Sequence, residues 1–308
     1  MRIHFRSAIF TLAAAWALHS PTAAAWINDI NCEGGTPGAW IGNGGAHQFS
    51  SSFSLSVFAS SPVATGSGSC QMGVTAGSDG WGQWGAIYSF PSNVTKGGSV
   101  WARVSLFVPT GFSVATNDGF LKFMRIHTAT SSGGNVGYHD LLISNPGWIN
   151  WSAATGQWTS SFIYNYEGAA NLIGVGVIPT NNIVQGTWET YEMNIKFDNV
   201  AKSAGGTGEV RIWKNNVLLK DVTTQPTIAN ATDYSDGFYL FTFWNGNAPA
   251  TQHVYVDDVI ITSDTPTNKD AAGNACLCAP QPGSSSAGTP GTTPSAVTPD
   301  PPTNVSVQ

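Results

Sequence analysis

The chain has 308 residues, of which 42% are hydrophobic and only 10% charged, with 35 Gly, 17 Pro and 12 Trp. Twelve Lys and Arg against 18 Asp and Glu give a formal charge of −6. That balance argues against nucleic acid as a partner, yet a local basic cluster can still set the field of a cleft that takes an acidic polysaccharide.

Residues 1–25 place Arg2 and Arg6 ahead of an apolar run from Ala8 to Leu18, followed by Ala23 and Ala25. This is the pattern of a secretory signal peptide cut before Trp26, and it predicts a secreted protein, extracellular or periplasmic. Loss of Arg2 and Arg6 moves the formal charge of the mature chain from −6 to −8. No later apolar run is long enough for a membrane helix, so a soluble monomer with no membrane contact is expected. The cysteines, Cys32, Cys70, Cys276 and Cys278, all fall in the exported part, where disulfides persist. Cys276 and Cys278 are one residue apart, which disfavours a bond between them. The expected alternatives are cross-links from Cys32 and Cys70 to that pair, or a Cys32–Cys70 bond.

Residues 26–265 alternate short β-branched and aromatic runs with Gly, Asn and Pro punctuation, and no amphipathic helix stands out. One antiparallel β-sandwich of the jelly-roll kind is predicted. In Ser99–Val108, Val100, Ala102, Val104, Leu106 and Val108 face a core. Trp101, Arg103, Ser105 and Phe107 lie opposite, half aromatic and half polar, as a sugar-binding groove requires. The stretch 119–143, GFLKFMRIHTATSSGGNVGYHDLLI, reads as a hairpin with the densest polar chemistry in the chain. Strict alternation puts Leu121, Phe123, Arg125 and His127 on one face and sends Lys122 to the other. The return strand brings Tyr138, His139 and Asp140, with Tyr138 and His139 on opposite faces.

Trp148, Trp151 and Trp158 crowd one loop, and Phe162, Tyr164 and Tyr166 share a strand face. In Trp188–Phe197, Tyr191, Met193, Ile195 and Phe197 point inward. Asn215-Asn216 supplies the turn between Glu209–Lys214 and Val217–Val222. Beyond the sandwich come a Cys-containing extension at 266–278, a Pro/Gly/Ser/Thr linker at 279–300, and residues 301–308, which resemble the start of a truncated fibronectin type III module.

Three stretches carry a family likeness: GTWETYEMNIKFDN with GEVRIWKNNVLLKD, the closing HVYVDDVIITSDTP, and the KFMRIHT…GYHDLLI hairpin. Together they resemble the concanavalin-A-like jelly rolls of secreted polysaccharide lyases and their related binding modules. That resemblance implies β-elimination on a uronic-acid-containing polysaccharide. Such chemistry needs a group that neutralises the substrate carboxylate, a base, and an acid for the leaving oxygen. Arg125 suits the first by its planar fork, and His127, about 7 Å along the same face, suits the second. Tyr164 or Tyr166 suits the third, with Tyr138 and His139 as alternates and Trp101, Arg103, Trp148 and Trp151 as substrate-binding residues.

Against these roles stand plain structural ones: an ion pair for Arg125 and His127, and cross-strand packing for the tyrosines. A non-catalytic carbohydrate-binding module is the main rival. A hydrolase is disfavoured because no strand carries acids at alternate positions. The likeness also implies a structural Ca²⁺ held by Glu33, Asp257 and Asp258, and no organic cofactor.

Overall fold

The computed structural model describes residues 25–44, 48–114, 120–144, 151–152, 157–158, 162–168, 176–178 and 183–278. Trp148, the side chain of Trp151, residues 1–24 of the expected leader, the linker at 279–300 and residues 301–308 lie outside this set.

The strands form two antiparallel sheets packed face to face, the sandwich predicted from alternation. One sheet has the order 176–178, 162–168, 135–144, 120–129, 234–245, 86–95, 51–52. The other runs 217–222, 209–214, 188–196, 99–107, 252–262, 69–74, 56–59, and strand Ile27–Ile30 also pairs with Gln252–Thr262. Between them lies a single dominant core. Val100, Ala102, Val104, Tyr191, Met193 and Ile195 from one sheet meet Leu121, Phe123, Met124, Ile126, Leu141 and Leu240 from the other. Phe123 and Tyr191 pack edge to face across the gap with ring centroids 5.4 Å apart.

Cys32 and Cys70 are joined, which ties the first strand's loop to the sheet. Cys276 and Cys278 are bonded to each other, not to that pair, so the cross-linked alternative is overturned. The extension that carries them packs on the outer face of the eight-stranded sheet. Trp213 donates from Nε1 to Asp270 at 2.9 Å and shares a small buried cluster with both sulfurs.

The strand Phe120–Ala129 departs from strict alternation. Its pairing with Asn135–Ser144 shifts register between Lys122 and Met124, and its other neighbour shifts between Leu240 and Phe243, where Phe241 adopts φ 51°. An extra residue resets which face each later side chain takes. Leu121, Phe123, Met124 and Ile126 all reach the core, while Lys122, Arg125 and His127 share the outer face. Lys122 is therefore no stray surface residue on the far side; it is 5% exposed and stands beside Arg125.

Candidate active site

The outer face of the seven-stranded sheet carries one continuous polar cluster. The register sets Arg125 between Asp140 and Tyr239, and sets His127 opposite Tyr138. On the next strand, Asn165 and Glu167 fall opposite Asp140 and Tyr138, so they share this face. Tyr138 lies over the Arg125 guanidinium, whose central carbon is 3.7 Å from the ring centroid. Cation–π attraction of this kind holds both groups in place.

Below the ring, Arg125 Nε donates to Asp140 Oδ1 at 2.7 Å, and its Nη2 donates to Glu167 Oε2 at 3.3 Å. Lys122 pairs with the same Glu167 oxygen. Burial pushes the Asp140 carboxyl up to about 7 against the pull of the Arg125 charge, with Glu167 raising it further. Asp140 Oδ2 meets no hydrogen-bond partner among the described residues. For Glu167, burial opposes ionisation, but the bonds from Asp140 and Lys122 and the charges of Lys122 and Arg125 prevail and lower its pKa. Two cations, Arg125 and Lys122, and two carboxylates, Asp140 and Glu167, make up the floor of the cluster.

His127 is held on both sides. Nδ1 is 2.6 Å from Asp236 Oδ1, and Nε2 is 3.1 Å from Asn135 Oδ1. Its ring packs against Tyr138 and Tyr239 at 4.9 and 5.9 Å, and the two tyrosines meet edge to face at 5.3 Å. Both phenols are partly exposed. Burial raises Tyr138 above the ordinary phenol range, while the Arg125 charge and the neighbouring Tyr239 pull it back. Tyr239 is pushed up to about 12, first by burial and then by Tyr138 and Asp236. The neighbouring phenols shift each other in opposite senses, Tyr138 raising Tyr239 and Tyr239 lowering Tyr138.

Several expected roles fail on this geometry. Tyr164 and Tyr166 are each 1% exposed and point into the sandwich, opposite to the cluster. His139 is fully buried beside them. Its Nδ1 accepts from the Tyr164 hydroxyl at 2.7 Å, its Nε2 donates to the Thr227 carbonyl at 2.7 Å, and its ring stacks on Tyr166 at 4.0 Å. Burial holds His139 neutral, with its pKa lowered to about 3. Tyr164, Tyr166 and His139 thus form an internal hydrogen-bonded stack and cannot touch a substrate on the outer face. Arg125, only 4% exposed and capped by Tyr138, is a buried cation that acts through its neighbours and not a free fork for a carboxylate. His127 has both ring nitrogens engaged by side chains of the protein, so neither faces a substrate.

Trp101 and Arg103 belong to the other sheet, because residues 99–107 pair with 188–196 and 252–262. Arg103 Nη1 donates to the Leu277 carbonyl at 3.0 Å under the extension. Neither residue lines the cluster. The three acids expected to hold Ca²⁺ serve one loop instead. Glu33 accepts from the Ser67 hydroxyl and from the amides of Ser67 and Gly68. Asp257 accepts from the amides of Ala64, Thr65 and Asp258, and Asp258 accepts from the Thr65 hydroxyl at 2.8 Å. Among the described residues no three His, Cys, Asp or Glu side chains converge on a metal position. The donor set does not fit the expected three-carboxylate cation site.

Sequence reasoning missed Tyr239, Asp236, Glu167 and Asn135, and sent Lys122 to the wrong face. Tyr239 and Asp236 stand about a hundred residues from the hairpin, and only sheet pairing brings them in.

No protein-family profile and no curated protein sequence matches the chain. Its fold is similar to that of alginate lyase Aly36B, at 14% identity and TM-score 0.51, covering 76% of this chain and 96% of that one. A variant of that enzyme in complex with alginate tetrasaccharide gives TM-score 0.53 at 16% identity, covering 76% and 96% of the two chains. An endo-β-1,4-glucuronan lyase from the fungus Trichoderma reesei gives TM-score 0.50 at 12% identity, covering 82% and 99%. At these identities the likeness establishes a shared architecture, the sandwich on which alginate and glucuronan lyases are built.

Proposed function

We propose that this protein is a secreted polysaccharide lyase that cleaves a uronate-containing polymer by β-elimination, with the Tyr138–Tyr239 phenol pair moving the proton. The observation that supports it best is the placement of two partly exposed phenols in edge-to-face contact above the buried Arg125 and Lys122 ion pairs. In the elimination, a base removes the proton α to the carboxylate, and the electron pair forms the new C=C bond. The bond to the β-oxygen then breaks, and that oxygen takes up a proton. Tyr138 is the candidate base, because the Arg125 charge and the neighbouring Tyr239 both favour its phenolate. Tyr239, kept protonated to about 12, is the candidate acid. A pair of titrating groups pushed apart by their surroundings is how one site supplies both roles.

Arg125 and Lys122 supply the positive field that stabilises charge developing on the substrate carboxylate. Asp140 and Glu167 position them. His127, clamped by Asp236 and Asn135, fixes the rings of both tyrosines from the side. The proposal is tested by incubating the protein with alginate, glucuronan and glycosaminoglycans and following the ultraviolet absorbance of the unsaturated product.

A non-catalytic glycan-binding role is favoured by one observation: Arg125 and His127 are both saturated by internal partners. Retention on a polysaccharide gel with no unsaturated product from any of these polymers selects that reading.

A further inference from the structure

A second cleft lies on the opposite sheet, away from the phenol pair. Its floor is a pair of rungs across three adjacent strands. Trp101, Asn194 and Arg211 stand in one rung, and Ser99, Lys196 and Glu209 in the next. The turn at Lys202–Ala204 and the following Thr207 form one wall, and Thr265 and Ala275 near the Cys-containing extension form the other. The enclosed volume is about 370 Å³, within the roughly 300–1,000 Å³ typical of small-ligand sites.

Three cations and one carboxylate line this cleft, in a chain whose total charge is −6. Glu209 is shared by Lys202 and Arg211, and Arg211 also reaches Asp221 outside the cleft at 3.4 Å. Lys196 donates to the Gly97 carbonyl and forms no ion pair among the described residues. Trp101, 5% exposed, has an indole N–H that meets no acceptor among the described residues. A positive cleft lined by Ser99, Thr207 and Thr265 suits an acidic sugar: a carboxylate for the ammonium groups and ring hydroxyls for the side-chain hydroxyls.

We propose that this cleft is a second, non-catalytic glycan site that takes a uronate residue. It stands apart from the lyase reading, since no residue of the phenol cluster takes part. The test uses full-length Tyr138→Phe protein, so that no probe is turned over, with alginate trisaccharide and glucuronan trisaccharide, and a neutral glucose trisaccharide as control. Carbodiimide joins a bound uronate carboxylate to a nearby lysine amine with loss of water, and peptide mass mapping locates the amide. The expected result is coupling at Lys196 or Lys202 that saturates with trisaccharide and is absent with the neutral control.

The substitution Lys202→Glu should weaken the saturation about 2- to 5-fold, the scale of one exposed charge. Lys202→Gln, a milder change on a half-exposed side chain, should weaken it less, and both should keep the wild-type melting temperature. Coupling confined to other lysines, coupling that does not saturate, or saturation indifferent to both substitutions overturns the proposal. Failure of the lyase reading shows separately, as absence of unsaturated product from the wild-type protein.

Discussion

Replacing Tyr138 by Phe removes one hydroxyl and leaves the ring over Arg125, where it sits 3.7 Å from the guanidinium carbon. The structural cost is one partly exposed hydroxyl, no more than about 0.5–1.5 kcal/mol, since the edge-to-face ring contact with Tyr239 is kept. The catalytic cost is the whole of the proton transfer, about 10²–10⁴ in rate, or about 2.7–5.4 kcal/mol of barrier. Tyr138→Phe should therefore lower kcat/KM by at least a hundredfold with little change in melting temperature. Tyr164→Phe supplies the contrast. It leaves His139 Nδ1 without its partner inside the core, at about 1–3 kcal/mol of stability, and should leave the activity of the folded fraction unchanged. Initial rates of unsaturated-product formation, beside thermal melts of both variants, decide the matter. A Tyr138→Phe protein within tenfold of wild type, or a Tyr164→Phe protein that stays stable but loses activity, refutes the assignment.

Because burial raises Tyr138 above its usual range near 10, its phenolate fraction grows throughout the accessible alkaline range. kcat/KM should climb with pH past neutrality, and a profile flat or falling above about pH 8 contradicts Tyr138 as base. Glu192 lies under the extension, accepts from the Leu277 amide, and is pushed up from 4.5 to about 8, chiefly by burial. The folded state keeps that proton where the unfolded state releases it, so its contribution is complete below about 4.5 and is lost as pH rises through about 8. Glu192→Gln should thus match wild type at pH 4 and exceed it above pH 8 by on the order of 2–4 kcal/mol, read from paired denaturant melts. The Cys32–Cys70 bond spans 38 residues of sequence, and its removal in a double Cys→Ser variant should cost about 4 kcal/mol by loop entropy. Since amide and hydroxyl donors already serve Glu33, Asp257 and Asp258, a chelator should leave the melting temperature unchanged, whereas a marked fall restores the cation.

Alternation read out most of the sandwich, because its period of two is fixed by the pleat and half of each strand is buried. The inward sets of Ser99–Val108 and Trp188–Phe197 follow it residue for residue. It failed at Phe120–Ala129, where the apolar phase itself changes: Leu121 and Phe123 fit one face, and Met124 and Ile126 fit the other. That break was visible in the sequence and is the mark of a bulge. Taken at face value, it would have joined Lys122 to Arg125 and His127. The tyrosines of 162–168 were correctly grouped but assigned to the wrong face, since a strand of aromatics alternating with Asn165 and Glu167 presents its polar set outward. Arg103 looked like a groove residue because half-polar faces are alike in sequence whether open or covered, and its cover, the extension carrying Leu277, lies over 160 positions away. The phenol pair was illegible for the same reason: Tyr138 and Tyr239 meet only through the pairing of their strands with Phe120–Ala129.

The central claim, elimination on a uronate polymer, is tested most directly by the mass of the products. The wild-type protein is incubated with purified oligouronates of defined length, and the fragments are weighed. Elimination adds nothing to the chain, so the two fragment masses should sum to that of the parent, the new reducing-end fragment matching its hydrolysis counterpart and the unsaturated partner being one water lighter than its own. Fragments whose masses sum to parent plus water, or intact parent retained by the protein, would contradict the account.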